Sequence, residues 1–548
     1  MFFKDLTAAL SRTILLLTML LLTSCTSMEP RFDEQLPADS TGTLDSREEY
    51  KISNLAPDDA NITTLSTTGE EGPLKISVQE AILMAMQNNQ GLAVERMNPA
   101  IKRTFEEEER AIFDPVLGAG ISSERSVAER LSRAGSDTES STVDRILGSV
   151  FIDTLFPTGT SLTLQGSTSI VDSSLYSDSF AGTRFGLTVT QALLQGADIR
   201  ANMANIYQAN VDTAISEYEL RGFAELLLEE VESRYWDYAL AQRQIEIYTE
   251  SLNLAQKQIA EIRERIKIGK LAETELAAAQ AEVALRRENL INARSDLAKE
   301  RLLLLQLLNT HGKNMWDRQI ILENQPSEPT VEFDDVEQHV KVALKKRADL
   351  NQARLEVQKG NLEVIKTKNG LLPKLDFFFT FGKTGYSNSF NRSVSNIGGD
   401  SYDIIGGLLF NYPPINRSAK ARHNRAVITK QQSIEAVNNL AQIVQVDVRS
   451  AYIEVNRTKE QIPATTATRK FQEEKLRAEI EKFRVGKSTS LLAAQAQTDL
   501  VASQIAEIEA VVNYLKSLVN LHRMEGSLLE RRGIFAHTPK TVKLDDAD

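Results

Sequence analysis

Between Ile245 and Leu297 the apolar residues keep the seven-residue rhythm of a coiled coil, and the stretch folds back on itself once. Ile245, Tyr248, Leu252, Ala255, Ile259, Ile262 and Ile266 alternate steps of three and four without a break. That is an a/d seam rather than the broader stripe of a surface helix. A second seam follows through Leu276, Ala279, Val283, Leu290, Ala293 and Leu297. Gly269 stands between the two, where a chain reversal needs a permissive backbone. The hairpin then returns 217 residues later: Glu264, Gly269, Lys270, Ala277, Ala279 and Gln280 match Glu481, Gly486, Lys487, Ala494, Ala496 and Gln497. The second copy carries its own seam through Ala494, Thr498, Val501, Ile505, Ile508, Val512, Leu515 and Val519. A hairpin of this length occurring twice is an internal duplication, and the function must use both copies.

The segment before each hairpin is duplicated as well. Val78, Ala85, Leu92, Arg96 and Pro115 fall on Val336, Ala343, Leu350, Arg354 and Pro373, an offset of 258, so the first copy holds 41 more residues between its proline and its tip. Ser77 is placed to cap a helix through Glu80–Asn89, and a second helix runs through Leu92–Ala111. The acidic run Glu106–Glu109 reads as a solvated face. Beyond each proline the period changes to two. Leu375–Phe381 and Asp403–Tyr412 read as strands in the second copy, matched by Val116–Ser122 and Thr183–Gln191 in the first. The extra length of the first copy holds one more candidate hairpin, Val150–Leu155 and Ser161–Ile170, around Phe156-Pro157-Thr158-Gly159. Leu375, Phe377, Phe379 and Phe381 share one face, as do Phe185, Leu187 and Val189, and the opposite faces are polar or small. A soluble sandwich and a membrane barrel both accept that pattern. Each strand pair sits alone between helices, so closure requires both copies and several chains.

The N-terminal stretch gives a compartment. Lys4 and Arg12 precede the apolar run Ile14–Leu22, which is too short to span a bilayer and suits a secretory signal. It ends in Leu22-Thr23-Ser24-Cys25, which resembles the bacterial lipoprotein box, and Cys25 is the one cysteine of the chain. That resemblance implies acylation of Cys25; Thr26 in place of an aspartate favours the outer membrane. A polar, acidic tether follows to about residue 75.

Chemistry is scarce. The five histidines have no metal-ligand spacing, one cysteine allows no internal disulfide, and no phosphate loop or nucleophile elbow occurs. A net charge of −12 argues against a nucleic-acid partner. No enzyme activity, metal or cofactor is expected.

Over residues 76–526 the chain resembles the TolC-like outer-membrane efflux proteins. The resemblance is carried by the two copies of helix, strand pair and long hairpin, and by Pro115 and Pro373 before strands. Gln191-Ala192-Leu193-Leu194 and Tyr412-Pro413-Pro414-Ile415 re-enter helix, and the tips are Arg265-Ile266-Lys267-Ile268-Gly269 and Lys482-Phe483-Arg484-Val485-Gly486. It implies a mainly α chain with a membrane β-barrel portion. In such a homotrimer an α-helical barrel joins a β-barrel, and four wall strands per chain give the family's twelve. The implied role is an exit duct for a tripartite efflux pump or a type I secretion system. Its partners would be a periplasmic adaptor (membrane fusion) protein and an inner-membrane RND, ABC or similar transporter. Helix length agrees: the proline-free stretch from Ile199 to Ile268 would reach roughly 105 Å. The competing reading is a non-conducting trimeric coiled-coil stalk, which has no use for two interrupting strand pairs.

The organisation expected is a signal peptide at 1–24, a lipid-anchored linker at 25–75 and a first repeat at 76–310, with strands about 116–191 and a hairpin about 195–309. A linker at 311–333, a second repeat at 334–526 (strands about 375–412, hairpin about 415–522) and a polar tail at 527–548 follow. The additional hairpin is expected to lie outside the regular four-strand ladder. Pro463 inside the second long helix is expected to kink or break it. Arg265, Lys267, Gly269 and Lys270 with Lys482, Arg484, Gly486 and Lys487 are the candidate adaptor-docking tips, positively charged within an acidic chain. The resemblance places the periplasmic entrance at Glu275, Leu492 and Gln495. Leu492 and Gln495 stand where the family often has acidic residues.

Overall fold

The computed structural model describes residues 73–131, 138–174, 178–309, 315–329 and 335–534. Cys25, the signal and, except for its last three residues, the tether expected to about residue 75 lie outside the described residues.

Both duplicated hairpins form as the seams require. The first joins α4 (Ala204–Lys267) to α5 (Thr274–Leu308), and the second joins α9 (Arg417–Arg484) to α10 (Ser490–Met524). At 64 and 68 residues, α4 and α9 are each about 100 Å long. A four-residue turn of helix, α3 (Ile199–Asn202), precedes α4. Pro463 is carried inside α9 without ending it, which corrects the expected break. Packing along the rest of the helix outweighs the one backbone hydrogen bond that proline removes.

The returning helices are only 35 residues each, so they cover half of their long partners. The remaining half is covered by shorter helices from the segment before each strand pair. These are α1 (Val78–Asn88) and α2 (Gln90–Arg110) in the first copy, α6 (Val336–Lys346) and α7 (Ala348–Asn369) in the second. Ser77 starts α1 through a reciprocal capping box with Glu80. The acidic run on α2 is only half solvated: Glu109 accepts from Asn205 at 3.1 Å and Glu106 from Asn210 at 3.0 Å, both on α4. The duplication persists to single hydrogen bonds. Arg96 donates to the Met86 carbonyl at 2.8 Å, and Arg354 donates to that of Leu344 at 2.8 Å.

Two short strands tie the copies together. β1 (Leu74–Ile76) pairs in parallel with β6 (Ile320–Leu322), from stretches whose sequences read as linkers. Tyr238 donates to the Ile320 carbonyl at 3.2 Å, while the Tyr235 hydroxyl accepts the Asn324 amide at 3.1 Å. Around this pair lies the main core, with Ile76, Leu92, Leu228, Leu304, Leu305 and Leu308 inaccessible to solvent. Each such side chain contributes about 1.5–3 kcal/mol of burial. The fold continues past residue 526 into a short helix, α11 (Leu528–Arg531), whose Leu528 and Leu529 enter the same core.

Beside that core α4, α10 and α11 bury a polar joint. Arg221 donates to the Gly526 carbonyl at 2.8 Å and to Glu530 at 2.7 Å, and Arg532 binds Glu232 at 2.6 Å. Burial, which outweighs the pull of Arg221, pushes the Glu225 carboxyl up to about 7. Burial also pushes His522 down to about 4, assisted by Arg531 and opposed by Glu525. The signs oppose. Glu225 binds its proton more tightly when folded, so its contribution is largest at acid pH and is lost as pH rises toward 7. His522 binds its proton less tightly when folded, so its contribution is present above 6.5 and lost as pH falls toward 4. Glu225→Gln removes the compensation. The variant is expected to lose about 3 kcal/mol between pH 7 and pH 4, because the fold keeps His522 from taking up its proton until about 4. Its thermal midpoint should fall on acidification well beyond that of the unaltered chain; equal falls would refute the assignment.

The strands differ from expectation in number and order. β2 (Val116–Leu131), β3 (Thr138–Leu155), β4 (Thr160–Ser173), β5 (Phe180–Ala192), β7 (Lys374–Ser387) and β8 (Tyr402–Asn411) form one six-stranded antiparallel sheet in the order β2-β3-β4-β5-β7-β8. The hairpin read as an addition outside a four-strand ladder is β3 and β4, and it lies inside the ladder, between the strands matched to the second copy. Periodicity fixes which face a residue takes but not which strand it sits beside. A short six-residue helix, α8 (Phe390–Ser395), crosses the β7–β8 connection.

Candidate functional site: the sheet faces and the helical tips

Chain order puts the sheet at one end of the long helices and the hairpin tips at the other. Among the described residues no helix is long and apolar enough to cross a membrane.

The register sorts the sheet into two faces that continue across all six strands. On one, Leu117 lies opposite Ile152, Ile152 opposite Leu164, Leu164 opposite Leu187, Leu187 opposite Phe381 and Phe381 opposite Ile404. One row along, Val150, Gly166, Phe185 and, beyond β5, Lys383 and Tyr402 share that face. The other face carries Ser149, Ser167, Thr163, Thr188 and Thr380. The apolar face is largely uncovered, with Ile121 at 84% and Leu408 at 65% exposure. Such a division, one face for lipid and one for water, is that of a membrane barrel wall. On the hydroxyl face Arg184 and Asp403 form an ion pair across β7, with Nε 3.1 Å from Oδ1. Neither was singled out by sequence, because the two lie 219 residues apart and only register unites them. Two aromatic rings lie flat on this face over glycines. A Cβ on Gly118 would come within 2.2 Å of the Phe151 ring, and one on Gly407 within 2.8 Å of Phe378.

At the tips the two reversals are built alike. Gly269 and Gly486 take φ of +72° and +76°. The Lys270 amide donates to the Arg265 carbonyl at 2.8 Å, and the Lys487 amide to that of Lys482 at 2.8 Å. These are Schellman caps, closed by the residue type that adopts the left-handed backbone without strain. The two tips also touch each other. The Arg265 guanidinium lies 5.6 Å from the Phe483 ring, and Glu275 accepts a hydrogen bond from Ser490.

The tip cations are partly neutralised within their own helices. Arg265 pairs with Glu261 at 2.6 Å, Lys267 with Glu264 at 2.5 Å, Lys482 with Glu479 at 2.5 Å and Arg484 with Glu481 at 2.7 Å. Lys270 and Lys487, beyond the turns, make no ion pair among the described residues. Of the entrance positions, Leu492 and Gln495 are exposed on α10, whereas Glu275 is half-buried and held by Ser490. The structure therefore brings together the two tips and Glu275, while Cys25 lies outside the described residues.

A family model described as outer membrane efflux protein matches residues 155–310 and 340–527, more than half of the chain. Solved structures share the fold at low identity. The CmeC outer membrane channel of Campylobacter jejuni superposes with a TM-score of 0.61 at 13% identity, over 82% of this chain and 86% of its own. VceC of Vibrio cholerae gives 0.59 at 15% identity, over 82% and 96%. The open MtrE outer membrane channel of Neisseria gonorrhoeae gives 0.55 at 16%, over 82% and 89%. No curated protein sequence matches the chain.

Proposed function

The chain belongs to the outer membrane efflux protein family, and from that premise we propose that three copies form the outlet of a tripartite efflux pump or a type I secretion system. In this reading an outer-membrane barrel made from the sheets continues into a periplasmic tunnel made from α4, α5, α9 and α10 of each copy. A periplasmic adaptor meets the tips, and an inner-membrane transporter supplies the energy. Acylated Cys25 adds a second hold on the outer membrane.

The observation that carries the reading is the two-faced sheet mounted on helices about 100 Å long. The sheet is open at β2 and β8, and these edges run antiparallel to each other, as closure against the next copy requires. Copies would also cover apolar side chains left exposed on α2 (Val94, Met97, Ile101 and Phe105), which line one helical face. A non-conducting stalk would use neither the apolar sheet face nor its open edges. Purified protein in a planar bilayer is expected to give large single-channel currents, either constitutively or once the tips are opened. Silence under every condition would overturn the duct.

A further inference from the structure

Copy one supplies four strands to the sheet and copy two supplies two. We propose that β3 and β4 are both wall strands of the outer-membrane barrel, so that each chain contributes six and a trimer closes eighteen. This rests on the duct reading and specifies its outer segment.

Three observations carry it. The ladder is unbroken: β3 pairs with β2 from Leu131↔Thr138 to Val116↔Asp153 and with β4 from Val143↔Ser173 to Leu155↔Ser161. β4 then pairs with β5 from Val171↔Phe180 to Thr160↔Gln191, so no edge is left on which a smaller ring could close around the hairpin. The second observation is chemical. Ile146, Val150 and Ile152 of β3 and Leu162, Leu164 and Ile170 of β4 fall on the same face as Phe379, Phe381, Ile404 and Leu408. A hairpin lying in water over the barrel would have no reason to keep lipid chemistry in register with its neighbours, whereas a wall strand must. The third is length. β3 and β4 run for 18 and 14 residues, more than the roughly 9–11 that a tilted strand needs to cross the hydrocarbon.

Barrel diameter grows almost linearly with strand number, so eighteen strands give a wall about half as wide again as twelve. Strand counts of about 16–18 leave an open aqueous channel. Its lining from the added strands mixes the hydroxyls of Ser149, Thr163, Ser167 and Ser169 with Leu147, Phe151, Gln165 and Asp153; Arg145 pairs with Glu124 at 3.8 Å, and the nearby Arg184 with Asp403. The outer segment is thus a broad, mainly polar conduit in which Arg145 and Arg184 each face a carboxylate.

The test uses the full chain in lipid. Single cysteines at Ile152 and Leu164 on the apolar face should resist a water-soluble maleimide, while those at Ser149 and Ser167 should react, the same split expected on β7 between Phe379 (protected) and Thr380 (reactive). An electron cryomicroscopy map in nanodiscs should show six wall strands per chain. Joining Leu131 to Phe180 through a short turn should lower the size of poly(ethylene glycol) admitted from the outer side to about two-thirds in diameter. Equal labelling of both faces of β3 and β4, or four wall strands per chain in a protein that still conducts, would overturn the proposal and leave the duct standing. Absence of any conducting ring would remove both. If the shortened chain fails to fold, labelling and strand count in the full chain decide.

Discussion

Exchanging Lys267 and Arg484 for glutamate is expected to abolish export and adaptor crosslinking while leaving the trimer and its outer-membrane level unchanged. Both side chains are exposed at the tips, and among the described residues each pairs only with a glutamate three residues back in its own helix, at 2.5 Å for Lys267 and 2.7 Å for Arg484. Such exposed pairs contribute about 0.2–1 kcal/mol, too little to hold a hairpin together. The substitutions place like charges at i and i+3, which costs each helix end a few tenths of a kcal/mol. Against an adaptor the effect multiplies. Three chains with two tips each present six sites, and losing a small term at every one removes the avidity that joins them. A control separates local from intermolecular electrostatics. Exchanging Glu264 with Lys267, and Glu481 with Arg484, keeps both ion pairs and the net charge of each tip, and should retain most of the export. Normal export by the double glutamate variant would reduce the tip charges to helix-end features. Normal export by the neutral Lys267→Gln, Arg484→Gln variant, with loss only on reversal, would mean that repulsion rather than lost attraction is being measured.

The parts of this architecture that repeat were legible in the sequence, and the parts that depend on who sits beside whom were not. Gly269 and Gly486 could be placed because seams of period 3.5 stop and restart around them, a local signal. Likewise the alternation of Phe377, Phe379 and Phe381 announces a strand with two unlike faces. Nothing local says whether β3 lies between β2 and β4 or folds away, so the ladder had to be seen. The three-residue strands β1 and β6 are too short to show any period and passed for linker. Tip charge illustrates a different failure. The glutamates that pair with Lys267 and Arg484 are visible at i−3, but counting net charge hides a pairing that geometry makes specific. The contact of Arg265 with Phe483 joins two repeats and has no sequence signature at all.

Among the glycines that end helical segments, Gly526 marks the place where a single methyl group should do most damage, although it stands outside every repeated motif. Four glycines, Gly269, Gly486, Gly526 and Gly533, end helical segments with φ between +68° and +76°. All four carry the same backbone requirement, worth about 1–2 kcal/mol against any residue with a Cβ. They differ in surroundings. A Cβ on Gly269, Gly486 or Gly533 meets nothing within 4 Å, but one on Gly526 would lie 2.9 Å from the Arg347 Cα and 3.0 Å from its amide nitrogen. Those are backbone atoms at the α6–α7 junction and cannot swing aside. Relief requires the chain at Gly526 to move, and its carbonyl accepts the buried Arg221 guanidinium at 2.8 Å. Loss of that charged hydrogen bond adds about 1.5–3 kcal/mol. Gly526→Ala is therefore expected to cost about 4 kcal/mol or more, and Gly533→Ala about 1–2. Thermal midpoints of the two purified variants, read side by side, check this directly. Comparable losses would show that φ alone governs both sites and that the α6–α7 junction packs more loosely on Gly526 than the geometry at Arg347 implies.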